Sequence, residues 1–408
     1  MKSTKWILGL LALLALQASA QVSELTDFLR NHTLKEVSAT DFSRKKLNKE
    51  ECAEAAKVLE AAWRKETQER YRQEGEAACF QHGDLKMAFL SRIFGKEPAD
   101  GRSLYISMHG GGATAHAVND GQWQNQIRLY TPAEGLYVAP RAPWDDWNMW
   151  FKPGMDEFFE DLIKWAVVTH NVNPDKVYLM GYSAGGDGVW RMAPRMADRW
   201  AAASMMAGHP GNAQQVNLLH VPYMIWMGEL DAAYQRNEQA VAKGRVMDEL
   251  QQAMPEGYVH ETHIVAGKGH WMDRADTLAV SWMPRFTRNP LPKHVIWQQE
   301  EVTRPYLYWL SVNALRARQG MRVDARVEGN TIRILRSDYR KLRIYLNDEL
   351  VDLDKKVRVV YGDEVLFSGR LRRTLGMMAN TLEERGDVNW IFPACVDVEI
   401  ESVKQELF

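Results

Sequence analysis

The chain has 408 residues, 46% of them hydrophobic and 25% charged, and a formal net charge of -2. This composition indicates a globular protein longer than one typical domain. The charge balance gives no electrostatic case for binding nucleic acid or an anionic membrane. Three cysteines are too few for a disulfide scaffold. An oxidising compartment would permit one bridge, for which Cys52 and Cys79 are the more plausible pair, with Cys395 left over.

Residues 1–20 have the pattern of a secretory signal peptide. Two lysines precede an apolar core from Trp6 to Leu16, and Ala18-Ser19-Ala20 ends that core with small residues. The predicted mature chain begins near Gln21 and is secreted or periplasmic. The alternative, an uncleaved anchor, is disfavoured because the apolar run is shorter than the roughly 20 residues that span a bilayer.

Residues 21–80 are predicted to form a helical N-terminal extension. Asn48 is a plausible N-cap, and Ala55, Leu59 and Trp63 recur at helical spacing after it. We expect this segment to pack on the domain that follows. A helix that binds a partner is the alternative.

A glycine-rich loop follows the apolar strand predicted at residues 103–108. Its sequence is His109-Gly110-Gly111-Gly112. Acyl transfer builds negative charge on a carbonyl oxygen, and such a loop lets backbone N–H groups approach that oxygen. We therefore expect oxyanion donors at Gly110 and Gly111 and a substrate contact at His109. The alternative, a phosphate-binding loop, lacks the required Gly-Lys-Ser/Thr ending.

An aromatic segment follows the next predicted strand, residues 136–140. Four aromatic residues lie within residues 144–151. Because α/β sheets bind ligands at the carboxyl ends of their strands, we expect one or two rings to face a cleft, and we select Trp144 and Trp147. The alternative is that most of these rings pack against the scaffold.

The central motif is Gly181-Tyr182-Ser183-Ala184-Gly185-Gly186. A predicted buried strand precedes it and a predicted helix follows it. Strand, Gly-x-Ser-x-Gly, helix is the context of a nucleophile elbow, with Ser183 as the nucleophile. The N–H of Ala184, the residue after the nucleophile, is then a third oxyanion donor. The bare motif alone would also fit a glycine-rich turn.

An acid and a base follow the predicted nucleophile in the chain. Asp231 comes at the end of a predicted strand, and His270 lies in a glycine-rich loop. His270 would serve as the base, and Asp231 would orient and stabilise its imidazole. Glu229 or Asp187 could supply the acid instead, Asp231 could be a helix cap, and His270 could be an ordinary loop histidine.

Two further residues are candidates for contact with a substrate. His209 lies at another predicted strand end, and Trp271 directly follows the predicted base. No cluster of cysteine and histidine has the spacing of a zinc site, so we expect no metal.

The region from about Leu85 to Asp273 resembles the secreted esterases related to poly(3-hydroxybutyrate) depolymerases and feruloyl or acetylxylan esterases. The resemblance rests on residues 109–112, 173–178 leading into 181–186, 228–231 and 267–271. It implies an α/β-hydrolase fold with a mostly parallel sheet and flanking helices. It also implies hydrolysis of carboxylic esters by Ser183, Asp231 and His270, with no cofactor. The ester could be polysaccharide-linked or polymeric.

Two other functions stay open. A serine peptidase of the same fold would need an amine-recognising acidic pair or a large N-terminal propeller, and neither is evident. A catalytically silent binding protein is the other alternative, against which the complete set of three residues argues. The sequence does not specify the acyl group, the alcohol or the oligomeric state.

The predicted layout is a catalytic domain at residues 81–290, a linker or helix at 291–319 and a small β-rich domain at 320–408. Gly329-Asn330 lies between two alternating segments, as in a hairpin. We expect this tail to pack as a compact unit. Cutting the chain after about Gly320 is expected to leave the hydrolysis of small esters largely in place.

Overall fold

A computed structural model describes residues 20–401. The predicted signal peptide lies outside the described residues, apart from Ala20. In residues 20–401 the α-helices are α1 (Ala20–Phe28), α2 (Lys49–Arg70), α3 (Arg72–Glu76), α4 (His116–Leu129), α5 (Met155–Thr169), α6 (Ala184–Arg195), α7 (Arg236–Ala253), α8 (Leu278–Trp282) and α9 (Leu375–Arg385).

The strands of the same region form one large sheet and two smaller ones. They are β1 (Cys79–His82), β2 (Leu85–Phe94), β3 (Arg102–Met108), β4 (Gly135–Pro140), β5 (Val172–Tyr182), β6 (Ala202–Met206), β7 (Tyr223–Gly228), β8 (His260–Val265), β9 (His294–Gln298), β10 (Tyr306–Leu307), β11 (Leu310–Ser311), β12 (Arg322–Glu328), β13 (Thr331–Ser337), β14 (Lys341–Leu346), β15 (Val357–Tyr361), β16 (Glu364–Gly369) and β17 (Ala394–Glu399).

The large sheet has eight strands in the order β1-β2-β4-β3-β5-β6-β7-β8. β1 pairs antiparallel with β2, and β2 pairs antiparallel with β4; the other pairs are parallel. Strands β4, β6 and β7 are buried at every residue, as expected for parallel strands covered by helices on both faces. This is the predicted α/β-hydrolase fold, and β5, which leads into Ser183, lies near the middle of the sheet.

The N-terminal extension is helical, as predicted. Asn48 caps α2: its side chain accepts a hydrogen bond from the N–H of Glu51 at 2.8 Å, and its own N–H donates to the Glu51 side chain at 2.7 Å. The helix buries Ala55, Leu59 and Trp63 and packs against α5 and α9. It therefore contacts both the hydrolase part of the chain and the tail.

The three cysteines are free thiols. Cys52 lies buried in α2, and Cys79 begins β1. The Cys52–Cys79 bridge that the sequence permits is therefore not formed in this structure.

The tail forms two sheets together with the strands of residues 294–311, and it also contains α9. The five-stranded sheet has the order β16-β15-β13-β12-β9, and the four-stranded sheet has the order β10-β11-β14-β17. β12 and β13 form the predicted hairpin around Gly329-Asn330, and Gly329 has a φ of 58°, which glycine adopts without a steric penalty.

The prediction of a linker or helix at residues 291–319 is wrong. β9, β10 and β11 lie in this segment, and β9 pairs with β12. The prolines at 290 and 292 suggested a boundary, but they only precede the strand. Val295, Ile296 and Trp297 are buried although β9 is the edge strand of its sheet, and β-branched and aromatic residues of this kind favour strands.

A buried group of charges joins the tail to the hydrolase part. Arg199 donates to Glu160 at 2.9 Å and to Asp387 at 3.2 Å, and Arg288 forms ion pairs of 2.7 Å with both Asp175 and Asp387. Burial by itself raises the pKa of Asp387, but the charges of Arg288 and Arg199 outweigh it and lower the pKa. We call the following set the interface charge cluster: Glu160, Asp175, Asp198, Arg199, Arg288, Arg304, Arg385 and Asp387.

Candidate active site

The candidate site lies at the carboxyl ends of the parallel strands. The glycine loop follows β3, Ser183 follows β5, Asp231 follows β7 and His270 follows β8. Because parallel strands place these ends at one edge of the sheet, residues far apart in the chain meet there.

Ser183 has the backbone geometry of a nucleophile elbow. Its φ is 58° and its ψ is -120°, a conformation that costs a non-glycine residue of order 1–3 kcal/mol and that occurs preferentially at functional sites. A Cβ on Gly181 would collide with the backbone of Gly185, and one on Gly185 would collide with Met108. The motif glycines are therefore required by the close approach of strand and helix.

The structure brings Ser183, His270 and Asp231 together. The Nε2 atom of His270 lies 2.9 Å from Ser183 Oγ, and its Nδ1 atom lies 2.7 Å from Asp231 Oδ2. An ionised carboxylate only accepts hydrogen bonds. The Nδ1 atom therefore carries the proton, and Nε2 is free to accept one from the serine. Asp231 is 3% exposed, and Arg236 Nη1 lies 3.7 Å from its other oxygen.

The two alternative acids have other contacts. Glu229 accepts a hydrogen bond from the N–H of Gly267 at 2.7 Å, which ties the loop before His270. Asp187 accepts from the N–H of His209 at 2.6 Å. Burial raises the pKa of Asp187 to about 6, although the His209 hydrogen bond and the Arg236 charge oppose the rise. In the described part of the chain, neither carboxylate hydrogen-bonds His270.

The glycine loop lies against the nucleophile. A Cβ on Gly110 would lie 3.2 Å from Ser183 Cβ, so only glycine leaves space for a substrate carbonyl. Gly112 donates its N–H to the side chain of Asn119 at 2.8 Å. The N–H groups of Gly110, Gly111 and Ala184 find no acceptor within residues 20–401. Ala184 is the first residue of α6, where backbone donors have no partner inside the helix. These three donors are available to an oxyanion.

The predicted substrate contact at His109 is wrong. Its side chain is fully buried, with Nδ1 2.6 Å from the carbonyl oxygen of Gly110 and Nε2 accepting from the N–H of Ala142 at 3.2 Å. The indole of Trp150 donates to its backbone carbonyl at 2.9 Å. Burial lowers the pKa of His109 to about 4. The His109 ring is therefore neutral, and its hydrogen bonds to Gly110 and Ala142 hold the glycine loop in place.

The predicted tryptophans differ in exposure. Trp147 is 61% exposed and Trp271 is 48% exposed, and the Cα of Trp147 lies beside Gly112. Trp144 is half-buried, with the ammonium of Lys152 5.2 Å from its ring centroid. Trp147 and Trp271 are therefore accessible around the site, whereas Trp144 mainly packs.

His209 is half-buried at the end of β6, and its Nδ1 accepts from the N–H of Gly211 at 3.0 Å. Burial, followed by the charges of Arg236 and Arg191, lowers its pKa. It therefore sits beside Asp187 as a neutral side chain.

Sequence reasoning missed Tyr234 and Asn119. Tyr234 is 78% exposed and has a φ of 56°, and Gln235 after it has a φ of 59°. Two successive left-handed residues direct the Tyr234 ring outward near Asp231, and residue type alone does not signal such a turn. Asn119 gave no motif, because its role depends on where α4 packs.

Residues 20–401 show neither a candidate metal site nor a candidate membrane span. Residues 20–401 contain no group of three or more His, Cys, Asp or Glu side chains placed to hold a metal ion. Within the same range, we find no helix with the length and apolar character needed to cross a bilayer.

Fold and site together define an α/β-hydrolase scaffold whose strand ends assemble a serine, a histidine and an aspartate. No family model matches the chain, and no curated protein matches it. Among solved structures, a thermostable esterase is similar over 52% of this chain and 62% of its own, at 17% identity and a TM-score of 0.40.

Two other solved structures belong to the group that the sequence motifs resemble. A ferulic acid esterase is similar over 51% of this chain and 95% of its own, at 15% identity and a TM-score of 0.37. LpqC, a poly(3-hydroxybutyrate) depolymerase from Bordetella parapertussis, is similar over 51% of this chain and 87% of its own, at 17% identity and a TM-score of 0.39. Likenesses this distant do not specify an activity or a substrate, so the function below rests on the site geometry.

Proposed function

We propose that this protein is a serine esterase that hydrolyses carboxylic esters through an acyl-enzyme on Ser183. The observation that carries the proposal is the line of contacts from Ser183 through His270 to Asp231, at 2.9 Å and 2.7 Å. A serine hydroxyl is a weak nucleophile without an adjacent base, and His270 lies where such a base must lie.

In the acylation step, Ser183 Oγ attacks the ester carbonyl carbon while His270 Nε2 takes the hydroxyl proton. The N–H groups of Gly110, Gly111 and Ala184 stabilise the resulting oxyanion. The tetrahedral intermediate collapses by breaking the bond to the alcohol oxygen, and the imidazolium returns its proton to that oxygen. Asp231 stays ionised throughout and stabilises the imidazolium.

In the deacylation step, His270 removes a proton from water, and the oxygen attacks the acyl carbon. The bond to Ser183 Oγ breaks, the serine regains its proton from the imidazolium, and the carboxylic acid leaves. The site therefore needs no group beyond the protein and water.

The proposed substrate is an ester with a ring or an extended apolar part, linked to a polysaccharide or belonging to a polymer. The exposed rings of Trp147, Trp271 and Tyr234 support this choice, because ligand sites combine aromatic surface with a few fixed polar groups. The signal-peptide pattern of residues 1–20 supports a secreted or periplasmic location for the enzyme.

The test is a screen of p-nitrophenyl, feruloyl and acetyl-sugar esters beside peptide amides, with wild type and Ser183→Ala. We expect hydrolysis of esters by the wild type, a loss of about 10³-fold or more in Ser183→Ala, and labelling of Ser183 by a phosphonate. Preference for peptide amides would favour the peptidase alternative. An active Ser183→Ala protein would refute the mechanism, and a wild type inert to every ester and amide and to the phosphonate would favour a binding protein.

A further inference from the structure

Tyr182, the residue directly before the candidate nucleophile, contacts the loop that carries His270. It ends β5, and its side chain lies on the same face of the sheet as Tyr178, because side chains four residues apart in a strand share a face. Both tyrosines are buried in one cluster of hydrophobic side chains. Tyr182 therefore contacts the loop from within this hydrophobic cluster.

The hydroxyl of Tyr182 makes two hydrogen bonds to the backbone of this loop. It donates to the carbonyl oxygen of His270 at 2.6 Å and accepts from the N–H of Met272 at 3.3 Å. A phenol can donate one hydrogen bond and accept another, so both contacts are satisfied together. The ring also lies edge-on to the imidazole of His270, with centroids 6.0 Å apart, and 5.7 Å from the ring of Trp271.

Two further contacts, with residues 229 and 230, hold the part of the loop before His270. Gly267 donates to Glu229, and the N–H of Leu230 donates to the carbonyl of Lys268 at 2.7 Å. In the described part of the chain, the carbonyl of His270 has no hydrogen-bond donor besides the Tyr182 hydroxyl. The His270 side chain is 44% exposed, and its hydrogen-bond partners among residues 20–401 are Asp231 and Ser183.

We propose that Tyr182 is a positioning residue. Its hydroxyl fixes the position of the His270 backbone, and this position determines the 2.9 Å distance between the imidazole and Ser183. This inference rests on the proposed function of Ser183 and His270. Because Tyr182 and Ser183 are adjacent, the same strand end fixes both the nucleophile and the loop of its base. A displacement of about 1 Å at such a site can cost about 100-fold in rate.

The test compares Tyr182→Phe with the matched control Tyr178→Phe. Tyr178 lies on the same face of the same strand, is buried, and donates its hydroxyl to the backbone carbonyl of Phe286 at 2.9 Å. Each variant therefore loses one buried phenol hydroxyl and one hydrogen bond to a backbone carbonyl, and Tyr182→Phe also loses the acceptor of the Met272 N–H. Only Tyr182→Phe loosens the His270 loop.

Three quantities are measured at a temperature where circular dichroism shows all the proteins folded: kcat, KM for a p-nitrophenyl ester, and the rate of phosphonate labelling of Ser183. For Tyr182→Phe we expect kcat and the labelling rate to fall together by about 10- to 100-fold, with KM nearly unchanged. For Tyr178→Phe we expect all three near wild type, and a thermal midpoint lowered no more than in Tyr182→Phe.

An unchanged kcat in Tyr182→Phe, or an equal fall of kcat in both variants, would overturn the positioning role. Ser183→Ala, assayed in parallel, separates this failure from failure of the proposed function. If Ser183→Ala is inactive and Tyr182→Phe is fully active, the esterase mechanism stands and the role of Tyr182 does not.

Discussion

At the scale of single residues, the contacts of Asp231 and Glu229 give them different parts in the site. Asp231→Asn should reduce kcat by up to about 10⁴-fold, because an amide donor opposite Nδ1 favours the wrong imidazole tautomer. Glu229→Gln should do less, because Glu229 only accepts a hydrogen bond from the loop. Steady-state kinetics on a p-nitrophenyl ester checks the order. A larger loss in Glu229→Gln would transfer the acid role to that residue.

The buried neutral His109 makes a prediction about stability and pH. Its pKa in the folded protein is about 4, against an ordinary value near 6.5. Between these values the unfolded chain binds a proton that the folded protein does not, so folding stability falls as the pH falls through this window. The loss amounts to about 3 kcal/mol.

The measurement for His109 is urea unfolding at several pH values between 7 and 4, with wild type and His109→Gln. The variant lacks the titrating group, so its free energy of unfolding should fall less steeply with decreasing pH, whatever its value at pH 7. Parallel slopes for the two proteins would contradict a depressed pKa at His109.

The sequence predicted the residues of the candidate site better than the residues that hold them in place. Ser183, Asp231 and His270 lie in short motifs at strand ends, and such motifs can be recognised from a few consecutive residues. The burial of His109 depends on Ala142 and Trp150, which belong to another loop. The role of Tyr182 depends on the path of the His270 loop, which no pattern in the strand reveals.

At the scale of elements, helix α4 holds the glycine loop through one side chain. Buried Asn119 accepts from the N–H of Gly112 and donates to Asp145 at 2.8 Å. Asn119→Ala should loosen the loop and lower kcat by about tenfold or more, since losing an oxyanion donor outright costs about 10²–10³-fold.

The matched control for this prediction is Gln126→Ala. Gln126 is a buried amide on the same helix, and it donates to Ser107 on β3 at 2.8 Å instead of to the loop. Its removal should lower the thermal midpoint and leave kcat near wild type. Equal losses of kcat in the two variants would show that α4 acts only through general stability.

Among the elements, strand β9 is one that the sequence pattern did not predict. Helices with capping signals, such as α2, and the hairpin around Gly329 were predictable because their signals are local. β9 is a five-residue strand next to two prolines, and its partner β12 begins 24 residues later, since 322 − 298 = 24. Short buried strands of this kind are specified by their distant partners.

At the scale of the whole molecule, the interface charge cluster changes the expectation for removal of the tail. Asp387 pairs with Arg199 and Arg288, and these two guanidinium groups lie over the ring of Trp390, 4.5 Å and 4.9 Å from its centroid. Cutting after Gly320 removes both Asp387 and Trp390 and leaves buried arginines partly unpaired. We therefore expect the shortened chain to be insoluble or unfolded.

Asp387→Asn tests this interface without a truncation. Breaking a buried ion pair by removing one partner costs about 3–5 kcal/mol, so chemical denaturation should show a loss of that order. The matched control is Asp397→Asn in the same tail. Asp397 pairs with Arg343 at 2.7 Å, but both side chains are about half exposed, and such pairs contribute about 0–1 kcal/mol. Equal losses in the two variants would mean that the buried pairs do not fasten the tail.

The interface charge cluster also limits how this protein can be recombined with others. Its guanidinium and carboxylate groups come from α5, β5, the segment after α6, the segments on either side of β9, and the end of α9 with the turn after it. Residues before Gly320 supply three of the carboxylates and three of the guanidinium groups, and residues after it supply Arg385 and Asp387. A tail exchanged for a foreign β-rich module would take the Asp387 carboxylate away from the buried Arg199 and Arg288, and among residues 20–401 these would keep only Glu160 and Asp175 as ion-pair partners. A chimera that keeps this contact therefore needs a module with groups equivalent to Asp387 and Trp390.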